Sequence, residues 1–196
     1  MSKQLLVACE ESQAVTKAFR DLGYIAFSCD LQDCSGDLPQ FHFKADCKSV
    51  LEWYSFDMII AFPPCTYLSK AGAVNLFNKD HSIKNFDRFH SMEAARDFFY
   101  FFYDFPCEHI CIENPVPMKV CGLPLPSQII NPWQFGHDFM KRTCLWLKGL
   151  PPLMSTDILP ASERSFVYSH SSSKLRSKTF SGIAEAMANQ WGCYLE

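Results

Sequence analysis

The sequence of 196 residues contains no long hydrophobic run. None of its apolar stretches approaches the roughly 20 residues that a helix needs to span a bilayer. The first apolar run, residues 5–9, is also shorter than the core of a secretory signal peptide. These absences predict a cytoplasmic protein with no membrane partner.

Positive charge is also scarce, because 18 Lys and Arg stand against 21 Asp and Glu, which gives a net charge of -3. This balance argues against a uniformly basic surface that coats nucleic acid, so any phosphate binding must come from a local patch. Basic residues gather late in the chain, around residues 141–148 and in a serine-rich segment at 164–178. That segment either grips phosphates or is a solvated loop.

The ten cysteines are not accompanied by a secretion signal, so they do not indicate a disulfide framework. We expect reduced thiols that act mostly as small hydrophobic side chains. Cys107, His109 and Cys111 alternate, and a strand would place all three on one face. No fourth ligand accompanies them, so the sequence predicts no metal site.

A hydrophobic content of 48% with eighteen Phe predicts a packed globular protein. The length suits a single domain over residues 1–196, within which residues 115–180 form an irregular, proline- and serine-rich part.

The pattern of apolar residues predicts alternating strands and helices. Ser12 is expected to cap the first helix and Gly23 to end it, whereas residues 31–45 are predicted to be turns. The predicted strands are 5–9, 24–30, 57–62, 108–114 and 142–150, and the predicted helices are 13–22, 50–54, 86–105 and 181–191. This order predicts an α/β fold with a doubly wound, mostly parallel sheet and an antiparallel strand near the C-terminus.

Four chemically interesting residues fall at or just beyond strand ends: Asp30, Asp46, Cys65 and Glu113. Open α/β sheets bind ligands at the carboxyl ends of their strands, so we expect these side chains to share one rim. Asp30 and Asp46 are suited to ribose and adenine contacts, although each alone is also a common turn or cap residue.

Cys65 follows two prolines, Pro63 and Pro64, which fix the backbone and end the strand. A stiff loop suits a nucleophile, whereas the alternative is a buried thiol that only fills space. Glu113 precedes Pro115 at the same predicted rim, where partial burial would raise its pKa and let it donate a proton. A surface carboxylate is the alternative for Glu113.

The motifs "FPPC" (62–65) and "IEN" (112–114) resemble those of cytosine-C5 methyltransferases, in the same order. Over nearly the whole chain the sequence is similar to small phage-type proteins of this kind, through "DMIIAFPPCTYLSKAGA", "IINPWQFGHDFMKRTCLWLKGLPPL" and "TFSGIAEAMANQWG". The resemblance implies the Rossmann-like fold of S-adenosylmethionine-dependent enzymes, acting in the host cytoplasm if the gene belongs to a phage.

The resemblance also implies roles for individual residues. Cys65 would add to C6 of cytosine while Glu113 engages N3 and the exocyclic amine, and S-adenosylmethionine would methylate C5. The implied catalytic residues are Cys65, Glu113, Asn114 and Arg142. The nearest match to the Gln-x-Arg-x-Arg motif of the larger enzymes is "FMKRT" (139–143), so Lys141 and Arg142 are both candidates for its basic residues. The implied cofactor-binding residues are Cys9, Glu10, Ser12, Asp30, Asp46 and Pro63.

Two family features have no counterpart. No glycine-rich turn follows the first strand, where Glu11, Ser12, Gln13 and Ala14 stand instead, and 196 residues leave no room for a target-recognition domain. The substrate is therefore DNA, with a homodimer or a partner supplying recognition, or a free cytosine nucleotide. A non-catalytic protein that binds a nucleotide or another protein is the third hypothesis.

Overall fold

The computed structural model describes residues 2–80, 82–161 and 177–196. Seven strands form one sheet in the order β3-β2-β1-β4-β5-β7-β6. The strands are β1 Gln4–Ala8, β2 Ile25–Asp30, β3 His42–Lys44, β4 Met58–Ala61, β5 His109–Pro115, β6 Gln128–Ile130 and β7 Thr143–Lys148.

The first five strands pair in parallel, whereas β7 runs antiparallel between β5 and β6. The predicted sheet with an antiparallel strand near the C-terminus is therefore confirmed. Because β7 runs the other way, its first residue, Thr143, lies beside Pro115 at the carboxyl end of β5. The loops after β1, β2, β4 and β5 meet the start of β7 along one edge of the sheet, which we call the carboxyl edge.

Four α-helices accompany the strands in the described residues: α1 Ala14–Asp21, α2 Cys47–Trp53, α3 Phe86–Tyr103 and α4 Ser181–Trp191. Asp46 caps α2 by accepting the Lys48 N–H at 2.9 Å, so this helix begins earlier than the predicted 50–54. Gly23 ends α1 in the left-handed conformation, with φ of 89°.

Helices cover both faces of the sheet, as a doubly wound fold requires. Leu5 and Val7 of β1 pack in one apolar cluster with residues of α1 and α4, while Leu6 and Ala8 pack in a second cluster with residues of α2 and α3. The alternation of neighbouring β1 residues between two cores follows from the two-residue period of a strand.

The start of α1 differs from the prediction, because Ser12 does not cap it. Gln13 occupies the cap position in a left-handed conformation, and its side chain makes no capping bond. Glu10 supplies the cap instead, since its carboxylate accepts the Val15 N–H at 2.7 Å and the Thr16 N–H at 3.2 Å. The longer Glu side chain reaches the free N–H groups from before the turn.

Two further predictions were wrong. Residues 31–45 contain strand β3, whose three residues are too few to show an alternating pattern. Cys107, His109 and Cys111 do not share a face, because Cys107 packs in the α2/α3 cluster and Cys111 in the α1/α4 cluster. Cys107 lies before β5 begins, so strand alternation does not apply to it.

Candidate active site

The Cys65 loop leaves the carboxyl end of β4 and is fastened to β5. The side chain of Asn114, fully buried, donates from Nδ2 to the Pro63 carbonyl oxygen at 2.8 Å. Pro63 has no N–H to offer, so its carbonyl is the group by which this backbone segment can be held. Asn114 thus fixes the loop that carries Cys65.

Cys65 itself is exposed, unlike most cysteines of the chain. Its carbonyl oxygen accepts the backbone N–H groups of Leu68 and Ser69, at 3.1 and 3.0 Å, so a tight turn follows it. The exposure argues against the alternative of a thiol that only fills the core, whereas Cys193 is the other exposed thiol.

Glu113 points from β5 towards the face covered by α4. Burial raises the pKa of Glu113, while the positive charge of Lys141 and the nearby Thr143 hydroxyl lower it. A carboxyl group in this setting holds its proton to a higher pH than an exposed glutamate, which suits it to donate a hydrogen bond.

Glu113 lines a narrow cleft that opens to solvent. Its empty space is about 280 Å³ when the open solvent at its mouth is included. Its walls come from β4, β5, β6, β7 and α4, at sequence positions far apart. The lining residues are Phe62, Glu113, Ile130, Lys141, Thr143, Thr179, Phe180, Ile183 and Met187. The walls leave room for little more than one water molecule, and Cys65 is not among the lining residues.

The two basic residues before β7 face different surroundings. Lys141 is half-buried and lines the cleft opposite Glu113, whereas Arg142 is exposed. The resemblance pointed to Lys141 and Arg142 together, and the geometry brings Lys141 to the carboxyl group.

Asp30 and Asp46 lie at neighbouring strand ends on the other half of the carboxyl edge. Asp30 lies opposite Lys44 in the backbone register of β2 and β3. The Ala45 N–H donates to the Asp30 carbonyl oxygen at 3.0 Å. One carboxylate oxygen of Asp30 accepts the Gln32 N–H at 2.9 Å, and the other has no hydrogen bond to a described residue. Asp46 is exposed, with one oxygen engaged as the α2 cap.

The turn after β1 contains no glycine, yet two of its residues adopt left-handed backbone angles, Cys9 with φ of 60° and Gln13 with φ of 57°. The Gln13 side chain donates to Ser28 Oγ at 3.0 Å and to the Leu38 carbonyl at 2.8 Å. The segment after β2 is therefore packed against this turn. Sequence reasoning gave no signal for this contact, which joins residues 25 positions apart.

The other predicted cofactor residues near this turn are partly engaged within the protein. Glu10 is buried by its capping role, and Ser12 is half-buried. The Cys9 thiol lies 3.8 Å from the Cys47 thiol. The pKa of Cys9 is raised by its hydrogen bond to Cys47 and by burial, and the pKa of Cys47 is lowered by its thiol neighbours Cys29 and Cys9.

Part of the predicted basic segment, with Arg164, Lys174 and Arg176, lies outside the described residues. Lys178 is described, and its ammonium group donates to Ser35 Oγ at 3.3 Å. Phe62 and Phe180 were missed as cleft residues, since no local pattern connects a strand end to the start of the last helix.

Within the described ranges, no helix has the length and apolar character to cross a membrane. No group of three or more His, Cys, Asp or Glu side chains in those ranges is arranged to hold a metal ion.

The fold is similar to that of solved methyltransferase structures. A candidate DNA modification methyltransferase encoded within an Escherichia coli prophage superposes with a TM-score of 0.52 at 11% identity, covering 82% of this chain and 53% of its own. A methyltransferase of Entamoeba histolytica gives a TM-score of 0.50 at 9% identity, covering 81% of this chain and 58% of its own. This chain thus spans little more than half the length of either protein.

No protein-family model and no curated protein sequence matches the chain. At these identities the structural likeness shows the fold alone.

Proposed function

We propose that the chain is a DNA cytosine-C5 methyltransferase-like enzyme that acts through a covalent Cys65 adduct. One observation carries the proposal: a half-buried carboxyl group with a raised pKa, Glu113, stands at the strand end to which Asn114 fastens the Cys65 loop. The likeness of the fold to a candidate DNA modification methyltransferase supports methyl transfer in general.

In this mechanism Glu113 is protonated and donates a hydrogen bond to N3 of cytosine, while its carbonyl oxygen accepts one from the exocyclic amine. The Cys65 thiolate then forms a bond to C6, and the ring electrons move to C5, which becomes nucleophilic. After C5 has reacted, loss of its proton and departure of the Cys65 thiolate restore the ring.

The carboxyl edge also offers groups that fit S-adenosylmethionine. Asp30 retains a carboxylate oxygen that can accept ribose hydroxyl groups, and the left-handed angle at Cys9 turns the backbone without a glycine. Asp46 would contact the adenine amine and Pro63 would line the pocket, beside Cys9, Glu10 and Ser12. When bound, S-adenosylmethionine supplies the methyl group.

The cleft must widen before a pyrimidine ring can enter it, because its walls leave room for little more than a water molecule. Residues 177–180, directly before α4, are the part that we expect to move, since Phe180 is half-buried and closes one wall. Displacement of Phe180 would let a base approach Glu113 from the solvent side.

An adduct experiment tests the function. A duplex containing 5-fluorocytosine, which lacks the C5 proton that must leave, should trap a covalent complex in the presence of S-adenosylmethionine. We expect denaturing electrophoresis and mass spectrometry to show this complex for the native protein and for Cys193→Ala, but not for Cys65→Ala. Because Cys65 and Cys193 are both exposed, we expect each substitution to change the free energy of unfolding very little.

Absence of an adduct while calorimetry shows cofactor binding would contradict covalent catalysis. Methylation of dCMP, measured beside methylation of duplex DNA, separates the nucleotide alternative. Modification of the monophosphate alone would replace DNA by a free nucleotide as the substrate.

A further inference from the structure

The described lysines other than Lys141 fall into two groups, according to whether the ammonium group contacts another part of the protein. In most of the described structure, lysine ammonium groups contact another part of the protein. These contacts are Lys3 to the Tyr194 carbonyl, Lys17 to Asp21, Lys44 to Asp33, Lys148 to the Phe105 carbonyl, Lys178 to Ser35 and Lys48 over the rings of Phe98 and Phe101.

Four lysines form the second group: Lys70, Lys79, Lys84 and Lys119. All four are exposed, and none of their ammonium groups makes a hydrogen bond or an ion pair with any described residue. All four lie in the two segments that follow β4 and β5, directly beyond Cys65 and Glu113. We call these four residues the lysine ledge.

The two segments that carry the lysine ledge are joined beside Cys65. The Lys70 N–H donates to the Val116 carbonyl at 3.2 Å, and the Met118 N–H donates to the Leu68 carbonyl at 2.8 Å. Lys70 and Lys119 therefore follow directly from a paired stretch of backbone. Their side chains project from a fixed base rather than from independent loops.

Arg88 ties the far end of the longer segment back to the same place. Its guanidinium donates to the Thr66 carbonyl at 3.0 Å and lies 5.0 Å from the centre of the Tyr67 ring. Thr66 is the residue after Cys65. The segment between these contacts is thus anchored at both ends next to the exposed thiol.

The outer part of this segment is a small hairpin. Phe77 bridges Ile83, and the Lys84 N–H donates to the Leu76 carbonyl at 2.8 Å, which places Lys79 at the tip and Lys84 at the open end of the hairpin. The one acid of the tip, Asp80, is engaged locally by the Ser82 N–H at 3.0 Å and hydroxyl at 2.6 Å.

Three of the four ledge lysines lie in a locally basic stretch of an acidic protein. Residues 66–90 contain three Lys and one Arg against two Asp, a net charge of +2, whereas the whole chain carries -3, which leaves -5 for the remainder. An exposed aromatic ring accompanies the cations, since Phe86 is 65% exposed. Unpartnered cations beside an exposed ring suit a strand of phosphates and stacking bases.

We propose that the lysine ledge binds the sugar–phosphate backbone of a DNA strand. The ledge would supply about four phosphate contacts and hold the strand so that one of its bases lies over Cys65. This placement of the base rests on the proposed function, whereas the binding itself does not. It gives the candidate active site an adjoining DNA-binding surface.

Oligonucleotide binding measured by fluorescence anisotropy over a series of KCl concentrations tests the ledge. With four contacts, the slope of log K against log salt should be about -3 for single-stranded and about -4 for duplex DNA. The variant Lys79→Gln/Lys84→Gln should roughly halve that slope. The matched variant Lys17→Gln/Lys44→Gln removes the same charge from exposed ion pairs elsewhere and should leave the slope unchanged.

Equal losses in the two double variants, or no binding of either oligonucleotide, would overturn the proposal. Lysine-dependent binding to vesicles containing anionic phospholipid, or to polyglutamate, with none to DNA would overturn it as well and would identify a different anionic partner. Because all four ledge side chains are exposed and their ammonium groups have no described partner, the unfolding midpoints of the variants should equal that of the native protein. If Lys79→Gln/Lys84→Gln has a shifted midpoint, Lys70→Gln/Lys119→Gln replaces it in the binding experiment.

The Cys65→Ala variant separates this proposal from the proposed function, because it should bind DNA with the native slope. Lysine-dependent DNA binding without a 5-fluorocytosine adduct would retain the ledge and reject the covalent mechanism. Methylation of dCMP by a protein that does not bind DNA would reject the ledge and retain the methyl-transfer chemistry.

Discussion

Lys141 and Arg142 carry the same charge at adjacent positions, but only one faces the candidate catalytic carboxyl. Lys141 lines the cleft, whereas Arg142 is exposed. The pKa of Glu113 reflects two opposing effects at this point, since burial raises it and the Lys141 charge lowers it. The protonation state of Glu113 therefore depends on the Lys141 charge as well as on burial.

Replacing Lys141 by Met should move the high-pH limit of methyl transfer upwards. The proposed mechanism uses protonated Glu113, so activity falls as pH rises through its pKa, and loss of the nearby positive charge raises that pKa further. We expect a shift on the order of one pH unit in the profile of kcat/KM. Arg142→Met, the matched control, should leave this limit in place, and a downward shift in Lys141→Met would contradict the assignment.

At the scale of elements, the start of α1 depends on a buried carboxylate. Glu10 accepts the Val15 and Thr16 N–H groups and the Thr16 hydroxyl, at distances between 2.7 and 3.2 Å. Burial nevertheless raises the pKa of Glu10 to about 7, with these hydrogen bonds acting in the opposite direction. The folded protein consequently binds a proton here more tightly than the unfolded chain does.

The stability contribution of Glu10 should fall with rising pH. It is fully present below the unfolded pKa of 4.5, decreases up to about pH 7 and is constant above that. Relative to Glu10→Gln, which cannot titrate, the native protein should lose on the order of 3 kcal/mol of unfolding free energy across this window. Urea unfolding at several pH values measures the difference.

Glu185→Gln, at an exposed position of α4, is the control for this experiment and should show no such trend. A native-minus-Glu10→Gln difference that stays constant between pH 4.5 and 7 would show that Glu10 titrates alike in both states.

At the scale of the whole molecule, the parallel strands bring the predicted ligand residues to one edge. The nucleotide half of that edge follows β1, β2 and β3, and the catalytic half follows β4, β5 and the start of β7. A ligand that binds the native fold and not the unfolded chain raises the free energy of unfolding. Stability therefore reports on the cofactor without any assay of catalysis.

Saturating S-adenosylmethionine should stabilise the whole domain, by about 2.7 kcal/mol at a concentration one hundred times the Kd. In Asp30→Asn the side-chain oxygen can still accept the Gln32 N–H, so stability without ligand should change by less than about 0.5 kcal/mol. Its gain from the ligand should nonetheless be smaller, because the charged ribose acceptor is lost. Thermal unfolding with and without ligand measures both effects.

If millimolar S-adenosylmethionine stabilises neither protein, the cofactor assignment fails and the non-catalytic binding hypothesis becomes the stronger one. Equal gains in the native protein and Asp30→Asn would retain the cofactor but remove Asp30 from its site.

Elements with a strong local pattern of apolar residues were predictable from the sequence. The apolar strand residues of β4 and the long helix α3 carry local signals that survive in the fold. Strand β3 was not predictable, since three residues give no period, and neither was the Glu10 cap, because a Ser in the next turn is the commoner capping residue. Local patterns fail where a contact from elsewhere decides the conformation.

The sequence by itself determined the order of the strands and helices other than the short strands β3 and β6, and hence that Asp30, Cys65 and Glu113 stand at or just beyond strand ends. Apolar periodicity and the proline pairs are local properties, and they specify each element on its own. Only the tertiary structure decided that Lys141 rather than Arg142 meets Glu113 and that Phe180 closes the cleft. It also decided that the ammonium groups of the four ledge lysines meet no partner among residues 2–80, 82–161 and 177–196. These features depend on which distant segments come together, because burial and charge pairing are properties of the packed chain.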